Sequence, residues 1–378
     1  MTKNFTIIFV VNMILRTIMQ GLLPLYPIIT ERVGATKQEN GYILAFSYSM
    51  LLISTLASGF LIPKFITAKK LLLVSVLPMC SGIFFIGFAN TIMSFVFASM
   101  LLFFFAGLNI ISGIILISQF SSVQSVGRNF GVIGLSNLLG SLLGGFTVGP
   151  LLFGVGYKTG FIIFALILFV TCLFVFFIVE PKAVGIVENK KPNILTRNFL
   201  FVLISFTLAV MLIHVFLFSF SLSMKAAGFN ISQISIYSAL GTALSLPFPY
   251  LFGQLTKKFN AKKLSIVVYG CIATALLLLL LPKLTVTILL AVALMSVLSF
   301  AGRVPIVALV FPWFDNKQQP MAQSYIATAA WLAAIIGYLT SGIILQNFGF
   351  TLTIVYGLII SIVAILIMGF FVTTQKHD

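Results

Sequence analysis

Three side chains that carry or can take up a charge interrupt long apolar stretches of this sequence: Arg16, His214 and Arg303. A charge in a hydrocarbon interior costs about 2.5–3.5 kcal/mol even on insertion scales, so such a residue must be paired or must face a watery cavity. None of the six acidic residues lies in the middle of an apolar stretch, which leaves the two arginines without a carboxylate partner there. A guanidinium stays charged and binds carboxylate or phosphate in a bidentate manner. The sequence therefore predicts that Arg16 and Arg303 clamp an anionic group.

The same residues have structural interpretations that the sequence leaves open. Either arginine could cap backbone carbonyls or the oxygens of Ser and Asn side chains between helices, and Arg303 could also extend its charge to the membrane surface. His214 titrates near neutral pH, which makes it the candidate for coupling to protons. A buried, neutral histidine bonded to a neighbour is the alternative.

Uncharged polar and aromatic side chains extend this candidate site. Asn12, Arg16 and Gln20 are spaced by four residues, which places them on one stripe of a helix. Asn109 adds an amide in another apolar stretch, and Trp331 could wall an apolar cavity, which suits an amphipathic ligand. The predicted substrate-binding set is Asn12, Arg16, Gln20, Asn109, His214, Arg303 and Trp331.

The elements that must position these residues are membrane-spanning helices. Of the 378 residues, 60% are hydrophobic and only 7% are charged, whereas a soluble domain carries roughly 25% charged residues. A spanning helix needs about 20 apolar residues, and these stretches are apolar on all sides, unlike the alternating strands of a β-barrel. Twelve stretches qualify: 5–29, 40–62, 70–89, 91–118, 130–154, 159–179, 199–223, 232–255, 263–281, 284–311, 321–345 and 350–373. The sequence predicts an all-α membrane protein with twelve transmembrane helices.

The net charge of +16 is explained by membrane topology rather than by nucleic-acid binding. With both termini in the cytoplasm, most lysines and arginines outside the spans face the cytoplasm, as the positive-inside rule requires. We expect a multi-pass protein of a bacterial inner (plasma) membrane whose cytoplasmic lysines also meet anionic lipid head groups. The three cysteines lie within spans and are expected to be small apolar fillers.

The chain is an internal duplication. A shift of 194 positions places Asn4 on Asn198 and Gly34 on Gly228, and a polar stretch separates the two copies. Such a duplication of a six-helix unit is a common plan for secondary transporters. The predicted organisation is an N-terminal six-helix bundle at 1–179, a cytoplasmic linker at 180–198 and a C-terminal six-helix bundle at 199–378.

With six plus six helices, a basic central loop and a Gly-x-x-x-[x]-[Lys/Arg] loop after span 2 that is echoed after span 8, the sequence resembles the major facilitator superfamily (MFS) over essentially its whole length. The residues that carry the loop motif, which would take part in conformational change, are Gly59, Lys64, Gly253 and Lys258. Arg303, followed by Pro305 in span 10, is most similar to the bacterial drug-efflux branch. The resemblance implies two pseudo-symmetric bundles that alternate access, with spans 1, 4, 7 and 10 lining a central cavity. The resemblance to drug exporters implies efflux by an antiporter. The spans hold no acid in their middle, which argues against carboxylate-based proton exchange, so uptake and exchange for a counter-anion stay open.

Other classes fit less well. An enzyme is not expected, because the spans hold no catalytic nucleophile, carboxylate pair or metal cluster, and neither a metal nor a cofactor is predicted. A channel would show charged rings or a filter-like carbonyl motif. The leading expectation is a monomeric transporter for a small amphipathic, anionic organic solute that binds between the two halves. Three alternatives stay open: a flippase for a lipid or lipid-linked head group, a multidrug exporter of lipophilic compounds, and a non-transporting membrane sensor or scaffold.

Overall fold

The computed structural model describes residues 3–64, 66–120, 126–179, 195–282, 284–314 and 318–373, and only the backbone of 59–64, 118, 126–133, 257 and 319–321. Throughout these ranges the regular structure is helical. The α-helices are α1 (Lys3–Leu22), α2 (Tyr26–Glu31), α3 (Lys37–Lys64), α4 (Ala68–Phe88), α5 (Ile92–Gln119), α6 (Val126–Val155), α7 (Tyr157–Phe176), α8 (Arg197–Ala226), α9 (Ile231–Leu244), α10 (Phe248–Lys258), α11 (Ala261–Leu278), α12 (Thr285–Ser296), α13 (Arg303–Val310) and α14 (Gln319–Leu366). Short 3₁₀ turns at Leu23–Leu25 and Phe311–Trp313 and π-helices at Val297–Ala301 and Ile367–Phe371 complete them.

Ten helical segments of the described chain are long and apolar enough to cross a membrane. Two local features account for the difference from the twelve predicted spans. Gly349, inside α14, has a φ of +80°, which breaks this 48-residue element into two helices. The predicted span at 232–255 is interrupted near Pro247 and forms α9 and α10, which have 14 and 11 residues. Each is shorter than the roughly 20 residues that one span needs. The chain is an all-α membrane protein, as predicted.

Packing divides the chain into two compact units. Unit 1 comprises Met1–Ala35, Phe46–Glu188 and Phe229–Ala239, and unit 2 comprises Thr36–Ala45, Asn189–Gly228 and Leu240–Asp378. The main boundary falls within the stretch predicted as the linker, of which residues 180–194 lie outside the described residues. Each unit also takes in one short segment from the other sequence repeat, 36–45 or 229–239. These two segments are repeat partners, since 36 + 194 = 230 and 45 + 194 = 239.

The duplication is visible in the backbone. Positive φ angles occur at four glycines of the described chain. Gly34 and Gly228, which the repeat aligns, have φ angles of +86° and +87°. Gly156 and Gly349, 193 positions apart, both have φ angles of +80°. Because only glycine reaches this region without steric cost, the repeat preserves the places where the chain must turn sharply.

In each repeat, one asparagine near the start of the first helix bonds to a residue near the end of the repeat. Asn4 donates from Nδ2 to the carbonyl of Val179 at 3.1 Å, and its Oδ1 accepts from the Val179 N–H at 3.2 Å. Asn198 makes the same two bonds with Thr373, each at 2.9 Å. Each side-chain amide thereby satisfies both backbone groups of a residue that follows the last helix of its repeat. The shift of 194 positions from Asn4 to Asn198 is the shift from Val179 to Thr373.

Small residues allow the helices of unit 1 to approach closely. A Cβ atom at Gly140 of α6 would lie 2.6 Å from the Cβ of Arg16 on α1, and one at Gly149 would lie 2.8 Å from the carbonyl oxygen of Ile231. Ser235 strengthens the second contact, because its hydroxyl donates to the Gly145 carbonyl at 2.7 Å. These contacts support close packing as a role for the glycines of α6.

Unit 2 contains the repeat-related counterpart of the contact that Gly145 and Gly149 of α6 make with Ile231 and Ser235. A Cβ atom at Gly342 would lie 2.8 Å from the Cα of Gly41, so the two backbones meet without intervening side chains. Gln346, one turn further along α14, accepts from the Lys37 N–H at 3.2 Å. Gly41 is the repeat partner of Ser235, since 41 + 194 = 235. The two copies of this contact therefore use different chemistry, a glycine pair in unit 2 and a hydroxyl-to-backbone bond in unit 1.

Candidate functional site

Arg16 lies in α1, and its side chain is half-buried. Its Cβ packs against Gly140 of α6, where a larger residue would not fit. Tyr48 of α3 lies within electrostatic range of the guanidinium. Among the described residues, the guanidinium has no hydrogen-bond or ion-pair partner. Its donors are therefore available to a ligand or to water in this part of unit 1.

Asn12, one turn before Arg16, has protein partners. Its Nδ2 donates to the hydroxyl of Ser136 at 2.6 Å and to Oδ1 of Asn137 at 2.9 Å, so it ties α1 to α6. Gln20, one turn after Arg16, is half-buried on the same stripe. The structure thus divides the predicted stripe, with Asn12 in a helix contact and Arg16 available for binding. Solute contacts by Asn12 and Gln20 stay predictions.

Asn109 is buried in α5, where it is 6% exposed. Its Nδ2 donates to the hydroxyl of Ser75 on α4 at 3.4 Å. The amide therefore joins two neighbouring helices of unit 1. Its contact with a solute stays a prediction, and sequence reasoning did not identify Ser75 as its partner.

His214 of α8 is 7% exposed and packs against α14 in unit 2. Its ring centroid lies 4.8 Å from that of Tyr338, with an angle of 58° between the ring planes. Gly337 makes this approach possible, since a Cβ atom there would lie 3.0 Å from the Cβ of His214. The histidine therefore lies in a tight aromatic contact, and its role in proton coupling stays a prediction.

Arg303 begins α13, directly after a break in span 10. The π-helix Val297–Ala301 and Gly302 precede it, and π-helices frequently occur at functional sites. The Arg303 side chain is exposed, and its Nη2 donates to Oε1 of Gln323 on α14 at 2.9 Å. Sequence reasoning found Arg303 but missed Gln323, whose only signal was an amide close to the start of an apolar stretch.

Trp331 of α14 is half-buried.

The predicted loop motif is partly described. For Gly59 and Lys64 the structure describes the backbone alone, Gly253 has open space around it, and Lys258 is exposed at the end of α10. The roles of all four in conformational change stay predictions.

Nearby lysines make contacts that the sequence did not reveal. Lys69 donates from Nζ to the carbonyl of Phe176 at 3.0 Å, and Lys262 donates to the carbonyl of Val372 at 2.8 Å. Each cation thus meets a carbonyl at or just beyond the end of a helix, where positive charge is favoured.

An apolar groove of about 530 Å³ also lies in unit 1. Its lining residues on α1, α6 and α7 are Met13, Ile14, Thr17, Ile18, Leu143, Phe146, Thr147, Val148, Pro150, Leu151, Phe164 and Ile167. The hydroxyls of Thr17 and Thr147 donate back to carbonyls of their own helices, so they offer no donor to a ligand. None of the predicted substrate-binding residues lines this groove, so it is distinct from the predicted site.

The family model of the Major Facilitator Superfamily matches residues 6–311. No curated protein matches the chain. A solved structure of an auto-inhibited POT family peptide transporter has a TM-score of 0.80 at 11% identity, covering 100% of this chain and 99% of that one. The nucleoside transporter NupG has a TM-score of 0.81 at 13% identity, covering 97% of this chain and 99% of that one. A bacterial homolog of the human lysosomal transporter Spinster, inward-facing and occupied, has a TM-score of 0.77 at 12% identity, covering 98% and 96%. At these identities the likeness to solved structures shows the fold alone.

Proposed function

The chain belongs to the Major Facilitator Superfamily, and we propose that it carries a small amphipathic organic anion across the membrane by alternating access. Membership of the family makes it a multi-pass transporter with a small-molecule substrate, in agreement with the prediction from sequence. The anionic character of the substrate is our proposal. Arg16 is its principal proposed contact, and Arg303 is a second one.

The observation that carries this proposal is the state of Arg16. The guanidinium lies in a spanning helix, is half-buried and has no hydrogen-bond or ion-pair partner among the described residues. An unpaired cation there is costly, and such residues in membranes are by default candidates for function. A carboxylate or phosphate group would satisfy it with two charge-assisted hydrogen bonds.

Ligand-induced thermal stabilisation of the purified protein tests the charge of the substrate. The probes are a matched set with one ring system: 1-naphthaleneacetate, its neutral amide and 2-(1-naphthyl)ethylamine as the cation. Binding to the folded state raises the apparent stability by mass action, so no knowledge of transport direction is needed. We expect the anion to stabilise the wild type most and to lose this effect in Arg16→Ala. Arg32→Ala is the control, because Arg32 is also a unit 1 arginine but packs on the ring of Tyr157 at 4.8 Å.

Two results would contradict the proposal. Stabilisation by the cation in both the wild type and Arg16→Ala would favour a multidrug exporter of lipophilic compounds. An anion effect that Arg32→Ala reduces as much as Arg16→Ala would show a general charge effect rather than a clamp. A flippase would instead respond to phospholipid probes and not to naphthaleneacetate.

We also propose that the chain works as an exporter in a bacterial inner membrane, with both termini in the cytoplasm. The excess of lysines and arginines on one side supports this orientation. Its resemblance to drug exporters supports efflux. Uptake of labelled naphthaleneacetate into inside-out vesicles, with and without an imposed pH gradient, tests direction and coupling together. If His214 couples transport to protons, His214→Gln should transport but lose the dependence on the gradient. A gradient dependence that survives this substitution would exclude His214, and a counter-anion would become the favoured coupling partner.

A further inference from the structure

Arg303 and Gln323 form a pair of unusual composition in unit 2. The Nη2 atom of Arg303 lies 2.9 Å from Oε1 of Gln323, and this hydrogen bond is exposed. A guanidinium has five N–H donors and no acceptor. The oxygen of the Gln323 amide must therefore face the arginine, and its NH₂ group must face away. Arg303 uses one donor in this bond, so the pair still presents N–H donors from both side chains.

Within the described part of the chain, no carboxylate compensates the positive charge of this pair. Among the described residues, Arg303 has no carboxylate partner, and Gln323 is its only hydrogen-bond partner. The backbone before it is constrained, because a Cβ atom at Gly302 would lie 2.5 Å from the carbonyl oxygen of Leu298. Gln323 thus holds the guanidinium of Arg303, and the position before Arg303 has no room for a larger residue than glycine.

We propose that Arg303 and Gln323 together form a receptor for one oxyanion group, a carboxylate or a phosphate, with Gln323 as the positioning residue. The inference rests on the proposed function, since it adds a defined pair of residues to the contacts proposed for the anionic group of the solute. The guanidinium supplies the charge and most of the donors. Gln323 restricts its orientation and adds N–H donors of its own, which lowers the entropy that binding must overcome.

Residue 323 is a glutamine rather than a glutamate, which leaves the positive charge of Arg303 available to an anion. A glutamate at this position would accept the same hydrogen bond but would also neutralise Arg303, as in a bidentate ion pair. Glutamine orients the guanidinium and leaves its charge for a ligand. An anion receptor therefore requires an uncharged acceptor next to the arginine, and the sequence has one.

The experiment compares Gln323→Glu, Gln323→Leu and the wild type for stabilisation by 1-naphthaleneacetate and by its neutral amide. We expect Gln323→Glu to reduce affinity for the anion by about fivefold, because it neutralises Arg303 and so removes an exposed charge-assisted interaction. Binding of the neutral amide should change little. Gln323→Leu should cause a smaller loss, because it removes the positioning bond but leaves the charge. Gln233→Glu is the matched control, since Gln233 accepts from the Asn230 N–H at 2.9 Å in a capping box that glutamate also forms.

Double variants separate this inference from a structural effect and from the proposed function. Gln323→Glu should have no further effect on anion affinity in an Arg303→Ala background, since the two residues act as one unit. An equal loss for the anion and the neutral amide would mean that Gln323 is structural, and unchanged anion affinity in Gln323→Glu would also overturn the inference. A wild type that does not prefer the anion would overturn the proposed function itself. Wild-type preference that Arg16→Ala removes and Gln323→Glu leaves intact would sink this inference alone.

Discussion

Arg16 and Arg303 are both cations in membrane-spanning helices, but the protein surrounds them differently. Arg16 lies in the continuous helix α1, half-buried against Gly140, and has no hydrogen-bond partner in the described part of the chain. Arg303 follows a π-helix, is exposed and is held by Gln323. A partly buried, unpaired charge gains much from a ligand anion, whereas an exposed one gains less. We therefore propose that Arg16 contributes more to the affinity for an anion than Arg303 does.

The largest effect should come from Arg16→Ala. This substitution removes a charge-assisted interaction that the bound ligand would bury. Truncating one partner of a buried charge pair costs about 2–5 kcal/mol, so affinity for 1-naphthaleneacetate should fall by roughly 100-fold. Isothermal titration of the purified protein measures this change. Arg16→Lys should recover only part of the affinity, because an ammonium lacks the bidentate geometry. Full recovery by lysine would show that charge alone suffices.

Gln20→Glu should give Arg16 a carboxylate partner and so form an ion pair. The introduced carboxylate would lie one turn after Arg16 on the same stripe and could compensate its charge. We expect a loss of anion affinity of on the order of tenfold and a higher melting temperature of the ligand-free protein, because an uncompensated charge is removed. Lower anion affinity with a lower melting temperature would mean that Arg16 and the introduced carboxylate do not interact.

Arg303→Ala should have a smaller effect than Arg16→Ala. Its side chain is exposed, and a charge that faces an aqueous cavity is screened by water and salt. We expect a loss of affinity of about fivefold that shrinks at high salt, while the effect of Arg16→Ala stays nearly constant. Titrations at low and high ionic strength measure the difference. A larger or more salt-resistant loss for Arg303→Ala would reverse the assignment of the two arginines.

Asn12→Ala should have the smallest effect on affinity, although Asn12 lies on the same stripe as Arg16. This substitution removes hydrogen bonds to Ser136 and Asn137, so it should lower the free energy of unfolding by about 1–3 kcal/mol. Anion affinity should change by no more than about threefold. A thermal melt of the ligand-free protein measures the first quantity. A large loss of affinity without a loss of stability would place Asn12 in the binding site instead.

Much of the fold could be predicted from sequence because its determinants are local. The length and apolarity of a stretch decide whether it spans, as for the stretch that forms α7. The recurrence of Asn4 as Asn198 and of Gly34 as Gly228 revealed the duplication, and the same residues mark the repeated amide contacts and turns in the structure. The interruption near Pro247 follows from the missing N–H of proline. The resemblance to the MFS was confirmed by the family model.

The partners of the polar residues could not be predicted, because they depend on which helix faces which. Hydropathy placed Asn12, Asn109 and His214 in spans, but only the tertiary structure showed that they contact α6, α4 and Tyr338. Sequence alone determined that Arg16 and Arg303 are cations without nearby acids in their spans. Tertiary structure decided that one has no described partner and that the other is held by Gln323, twenty residues away on α14. A hydrogen bond forms between surfaces that packing brings within about 3 Å, and no spacing along a single helix encodes that distance.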